Sequence, residues 1–182
     1  MPLAMPVDAS TPRTDSDIMD AILFRHASIE NILSSRLSNL RLARDAWSET
    51  NPKASLETIL AMHDNSVFVD FLRILVLKPR IVTLDMAAQL IPALCGLLFE
   101  IYEDYIQTAC MMVQLLHRSF AGVIADTLQA AHLYGSGVDI TFEERACLEG
   151  FGQFAGILRD MRDYPGKLGQ TIRDLLSELD SH

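Results

Sequence analysis

Cysteine is scarce in this chain, and its three copies, Cys95, Cys110 and Cys147, fall at no paired spacing. That excludes a disulfide framework and any C-x-x-C zinc pair, and leaves reduced thiols buried among apolar neighbours. The five histidines form no H-E-x-x-H and stand beside no cysteine pair, so no metal site is expected. No G-x-x-x-x-G-K-[ST] occurs, and the two glycines of HLYGSGVDIT have no lysine placed for phosphate. The carboxylate pairs Glu143-Glu144 and Glu103-Asp104 are adjacent, so on a helix they point apart and make poor acid/base or metal sites. Basic residues are also in deficit, 15 against 24 acidic, for a net charge of -9. The imbalance is concentrated in residues 91–182, at -7 against -2 for residues 1–90. Such a chain is a poor general binder of nucleic acid, whose affinity comes from lysine and arginine displacing counterions, and of anionic membranes. The longest nearly apolar run, Met86 to Phe99, has 14 residues and contains Gln89, short of the roughly 20 that a membrane span needs. The first residues show no basic start followed by an apolar run of secretory length. No cofactor is expected, and no stretch reads as a strand.

What is present is apolar and helical. Apolar residues make up 49% and charged residues 21%, enough for a core in a single all-α domain. Residues 1–14, with three prolines, are expected to be a flexible leader, and residues 15–182 the helical domain. Asp15 or Ser16 can cap a first helix to about Ser35, striped by Ile18, Ile22, Ile29, Ile32 and Leu33. A second helix runs from Ser38 to Trp47, where Arg36, Arg41 and Arg44 form the only basic concentration, with Arg41 and Asp45 spaced for an ion pair. Asn51-Pro52 starts a third, Lys53 to Met62. The fourth, Asn65 to Leu77, is apolar on nearly all sides and therefore belongs in the middle of something, its own core or a partner's. Thr83 caps a fifth, in which Pro92 is expected to produce a kink near Leu90. The sixth runs from about Ile101 to Ala131, and Thr141 with Glu144 forms a capping box for a seventh, to about Met161. Gly150, Gly152 and Gly156 either let that helix pack closely or weaken it by about 1 kcal/mol each. Leu168 to Leu179 closes the chain as a short amphipathic helix. The rhythm predicts stacked antiparallel helices in an armadillo- or HEAT-like right-handed array with no sheet.

From YEDYIQT to the HRSF of the long helix, the chain resembles the conserved C-terminal domain of the katanin regulatory (WD-repeat) subunit. The ordered set comprises Ser35-Arg36, Asn39-Leu40 and Arg44 with Trp47, then Asp64, Ser66-Val67, Val69-Asp70 and Leu72. It continues with Leu84-Asp85, Ile91-Pro92, Tyr102 with Tyr105-Ile106-Gln107-Thr108, Gly137-Val138-Asp139-Ile140 and Glu143-Glu144-Arg145, over roughly residues 18 to 180. The resemblance implies a non-catalytic helical domain that heterodimerises with the N-terminal three-helix domain of the microtubule-severing ATPase. The pair is then expected to bind microtubules, together with segments of spindle-pole and minus-end proteins, in the cytoplasm at centrosome and spindle pole. No WD repeat occurs in these residues, so targeting that depends on a propeller is not expected of them.

Within that frame, Phe68, Phe71, Leu72 and Leu75 of the apolar fourth helix are expected to meet the catalytic subunit. Tyr105 is expected on a surface for partner peptides, with Tyr102 packed inward. Arg36, Arg41 and Arg44 are the candidates for a basic patch facing the acidic microtubule, which would otherwise repel a chain of this charge. Two other readings stay open: a generic armadillo-like adaptor for an unrelated helical ligand, and a helical enzyme using Cys110 and His117.

Overall fold

The computed structural model describes residues 14–47, 51–134 and 139–181. Among them the chain is all-α: α1 (Asp15–Ala46), α2 (Pro52–Met62), α3 (Asn65–Leu77), α4 (Leu84–Leu97), α5 (Glu103–Tyr134), α6 (Phe142–Asp160) and α7 (Gly166–Leu179), with a single 3-10 turn at Pro79–Ile81. The leader expected at residues 1–14 lies outside the described residues except for Thr14, and so do Gly135 and Gly137 of the glycine loop.

Short-range signals account for most of the helix ends. Asn51 Oδ1 accepts from the Ala54 N–H at 3.3 Å, and Pro52 fills the first position of α2, where its missing N–H costs least. His63 ends α2 in the left-handed conformation at φ 51°, and Asp64 starts α3 by accepting from the N–H groups of Ser66 and Val67. The Thr141–Glu144 capping box forms as expected, with the Glu144 carboxylate accepting from the Thr141 N–H at 2.9 Å. Those hydrogen bonds, with one from the Thr127 hydroxyl, outweigh the effect of burial and hold the Glu144 carboxyl below its ordinary value. At α1 the expected cap is displaced: Thr14, rather than Asp15 or Ser16, closes a capping box with Asp17. α4 runs through Pro92 as one helix, with the proline on its solvent side.

The expected pair of helices before Trp47 is a single helix instead. Serines at 34, 35 and 38 weaken local propensity without breaking the helix, because nothing there supplies a proline, a glycine or a stop cap. At 1.5 Å per residue the 32-residue α1 is about 48 Å long.

The helices stack. α1 lies on α2 and α3; α3 backs onto α5; α4 is held between α5 and α6; α7 closes over α5 and α6. The centre is filled by Leu72, Leu75, Leu90, Leu94, Met112 and Phe154, all inaccessible to solvent. By length and composition α5 is the one helix among the described residues that could cross a membrane. In the fold it is the spine of the core, its apolar side covered by α3, α4, α6 and α7.

The glycines of α6 divide by what they face. A Cβ on Gly150 would stand 2.6 Å from Ile91 Cγ2, a fully buried branched side chain of α4, so this glycine permits the α4–α6 approach. A Cβ on Gly152 would meet nothing within 4 Å. Gly150→Ala is therefore expected to lower stability by about 1–2 kcal/mol, overpacking outweighing the gain in helix propensity. Gly152→Ala should raise it by up to about 1 kcal/mol. Urea unfolding of the two variants checks the opposite signs. Gly169 is constrained more tightly still, since a Cβ there would overlap the Tyr164 carbonyl oxygen at 1.7 Å.

Candidate partner-binding surface

One face of α1 runs its whole length. Successive residues turn by about 100° around a helix, so positions spaced by three, four or seven share a side. Ile18, Ile22, Ile29, Leu33, Leu40, Ala43 and Trp47 follow that spacing without a break. The C-terminal part of this face is docked. Ala43 and Trp47 pack against the core, and the Trp47 ring stands edge-on to Phe71 of α3, centroids 5.9 Å apart at 74°. Beside them an apolar groove of about 340 Å³ opens between α1, α2 and α3, lined by Leu40, Trp47, Ile59, Val67 and Ile74. The N-terminal part has no cover: every residue from 15 to 35 is exposed, with Ile22 at 56%, Ile29 at 57% and Leu33 at 60%. An apolar stripe standing free over about 30 Å of helix marks an interaction surface.

The root of this arm is pinned by charge. The Arg36 guanidinium donates to Asp70 Oδ2 of α3 at 2.6 Å. Asp70 also accepts from Arg73, which reaches on to Asp104 at the start of α5. One helical turn later Asn39 donates to Asp64 Oδ2 at 2.9 Å. Burial pushes the Asp64 carboxyl up, but hydrogen bonds from Ser66, Asn39 and the backbone of Val67 and Ser66 prevail and hold it below its ordinary value. The cap of α3 and the seat of α1 thus share one carboxylate.

A second exposed apolar set lies at the α4–α5 turn, where Phe99 is 75% and Ile101 84% exposed. Here the expected orientation of the tyrosines is reversed. Tyr102 is 56% exposed, whereas Tyr105 is half-buried and packs on the core. Their rings touch at 5.1 Å between centroids. Tyr102 precedes α5 and has no helical neighbour above it, while Tyr105 lies one turn in, on the side facing α3 and Arg36.

The other residues singled out from the sequence are placed differently from expectation. Phe68 and Phe71 are 4% exposed, and Leu72 and Leu75 are fully buried. All four belong to the chain's own core, so they offer no surface to a partner, and the exposed apolar side chains are most numerous along α1. The physical reason is that α3 is enclosed by α1, α2 and α5, which use up its faces; only Ile74 and Leu77 remain as large exposed apolar side chains there. Arg36, Arg41 and Arg44 do not converge. Arg36 turns to Asp70, and Arg44 donates from Nε and Nη2 to Asp45 Oδ1 at 3.0 and 2.8 Å. Arg41, whose spacing allowed a pair with Asp45, is exposed with no carboxylate bound to it among the described residues, and lies about 140° around the helix from Arg36. The signal overlooked in the sequence was the unbroken phase of the stripe from Ile18 to Trp47, which two independent helices would not preserve.

Cys110 and His117 are two turns apart, roughly 10 Å along the axis of α5, and do not form a pair. His117 is buried edge-on against Phe151, centroids 5.3 Å apart. Burial pushes the Cys110 thiol up to about 12 and the Cys147 thiol up to about 11, and raises Cys95 as well. Alkylation of Cys110 and Cys147 by iodoacetamide at neutral pH is therefore expected to be at least about 100-fold slower in the native chain than in the unfolded one, because the thiolate is the reacting species. A nucleophilic cysteine would react at least as fast folded as unfolded. No group of three or more His, Cys, Asp or Glu among the described residues is placed to hold a metal.

Residues 25–179 match the family model described as the con80 domain of katanin. A Danio rerio protein named katanin p80 WD40 repeat-containing subunit B1 is 35% identical over 166 residues, covering 88% of this chain and 24% of that protein. The Gallus gallus protein of the same name is 33% identical over 167 residues, covering 89% and 25%. The Xenopus tropicalis one is 29% identical over 177 residues, covering 94% and 27%. The chain spans about a quarter of the length of these curated relatives.

Proposed function

The chain belongs to the family of the con80 domain of katanin, and from that premise we propose that it is the non-catalytic regulatory module of a microtubule-severing enzyme. It heterodimerises with the N-terminal three-helix domain of the catalytic ATPase subunit and thereby promotes microtubule binding and severing. The observation that carries this reading is the bare stripe of α1. A face that is docked on the body at Ala43 and Trp47 continues uncovered from Leu33 back to Ile18. Helices of a second protein laid against it would extend the same packing, in the manner of an amphipathic helix joined to a helical groove. The partner contact first read into Phe68, Phe71, Leu72 and Leu75 thus passes to the arm.

The exposed Tyr102, with Ile101 and Phe99 beside it, is the surface we assign to short segments of spindle-pole or minus-end proteins. Tyrosine there offers a large rigid contact with a polar tip. Of the three arginines considered for the microtubule face, Arg41 is the one whose charge is not already committed to a carboxylate among the described residues. The remaining attraction toward an acidic lattice must come from the partner, given a net charge of -9. The site of action is accordingly the cytoplasmic microtubule array at the centrosome and spindle pole.

Co-expression with the catalytic subunit's N-terminal domain tests the reading. A stable 1:1 complex on gel filtration is expected. Elution as two separate species would overturn it, and capture of an unrelated helical protein in its place would favour a generic adaptor.

A further inference from the structure

We propose that, when no heterologous partner is bound, the arm of α1 is covered by the arm of a second copy of this chain, lying antiparallel about a two-fold axis. Like the reading above, the inference takes the arm as an interface; it adds a distinct occupant.

The spacing of the stripe is self-complementary. Ile18, Ile22, His26, Ile29, Leu33 and Leu37 are separated by four, four, three, four and four residues, a series that reads the same in both directions about a midpoint between Ala27 and Ser28. A two-fold contact needs that property, because each residue i that meets j must be matched by j meeting i. Antiparallel overlay puts Ile18 of one copy over Leu37 of the other, Ile22 over Leu33, and His26 over Ile29. All six positions are exposed in the single chain. The overlap ends at Leu37, six residues before the same face docks on the body at Ala43 and Trp47, so the two bodies stand at opposite ends of the pair.

Charge selects the orientation. Antiparallel pairing sets Asp15 of each copy at the level of Leu40 of the other, next to Arg41, an arginine with no carboxylate bound to it among the described residues. A parallel pair would stack Asp15 on Asp15 and Arg36 on Arg36, and would align the two helix dipoles. The area is adequate too. The five apolar side chains of the stripe, Ile18, Ile22, Ile29, Leu33 and Leu37, are each about half exposed and present roughly 100 Å² apiece, so two copies bury roughly 1,000 Å² in all, the low end for a specific interface. Since the catalytic subunit's domain is assigned the same stripe, the two occupants exclude each other, and heterodimerisation proceeds by exchange.

Sedimentation equilibrium of the chain across roughly 1–100 μM is the test, that range bracketing affinities common for such areas. The mass is expected to rise from 20.3 kDa to twice that value, and to remain at 20.3 kDa in a chain carrying Ile22→Asp and Leu33→Asp. Orientation is read by oxidative cross-linking. Met19→Cys mixed with Leu37→Cys should give a mixed disulfide, whereas Met19→Cys with itself should not, because its copies then lie about 26 Å apart along the axis. A monomer throughout the range, or ready self-cross-linking of Met19→Cys, overturns the proposal. Adding the catalytic subunit's domain separates this inference from the heterodimer reading: a dimer that ignores the domain sustains the pairing and sinks the heterodimer, while a monomer that takes up the domain does the reverse.

Discussion

A chain carrying Ile29→Asp and Leu33→Asp is expected to bind the catalytic subunit's N-terminal domain at least about 100-fold more weakly, a loss of about 2.8 kcal/mol. The unfolding midpoint should stay within a degree or two of the parent, because surface substitutions that bury nothing in the free chain leave stability nearly unchanged. Both side chains are more than half exposed and lie N-terminal to Arg36, the first residue of α1 anchored to the body. Two carboxylates in the middle of an apolar stripe would have to be desolvated without partners in any complex that covers it, which costs more than truncation alone. Isothermal titration beside a thermal melt reads both quantities. Unchanged affinity would mean that the partner docks elsewhere, and the α4–α5 turn with Phe99, Ile101 and Tyr102 would be the next surface to mutate.

Leu72→Ala should do the opposite. Leu72 is fully buried where α3 packs into the stack, so truncation leaves a cavity costing about 2–5 kcal/mol. In a domain of this size that corresponds to a fall of roughly 5–20 °C in Tm. Binding by the fraction that remains folded should be close to that of the parent. The pair of variants therefore separates the two roles that an apolar helix can play. A Leu72→Ala chain that melts normally and fails to bind would return α3 to the interface, where its composition alone had pointed.

Composition misled there for a definable reason. An all-round apolar helix must be enclosed, but nothing within it says by whom. Here α1, α2 and α5 of the same chain enclose it, and the uncovered greasy surface lies on α1, a helix with enough charge and serine to read as ordinary. The tyrosine pair shows the same limit at smaller scale. Three residues of spacing put Tyr102 and Tyr105 on one side of a helix, and the position of the first turn of α5 against α3 decided which of them was covered.

The residues by themselves determined what acts within about one helical turn: the span Asn65–Leu77 of α3, the Asn51-Pro52 start of α2, the Thr141–Glu144 box, the thiols' lack of any pairing partner, and an all-α fold. Caps and the 3.6-residue period are local, so a linear reading captures them. Only the tertiary structure decided that Gly150 touches Ile91 while Gly152 faces open space, that Arg36 is committed to Asp70, and that one end of α1 is docked on the core while the other is bare. Each of those depends on residues tens of positions away being brought within a few ångströms, and burial is a property of that assembly rather than of any side chain in it.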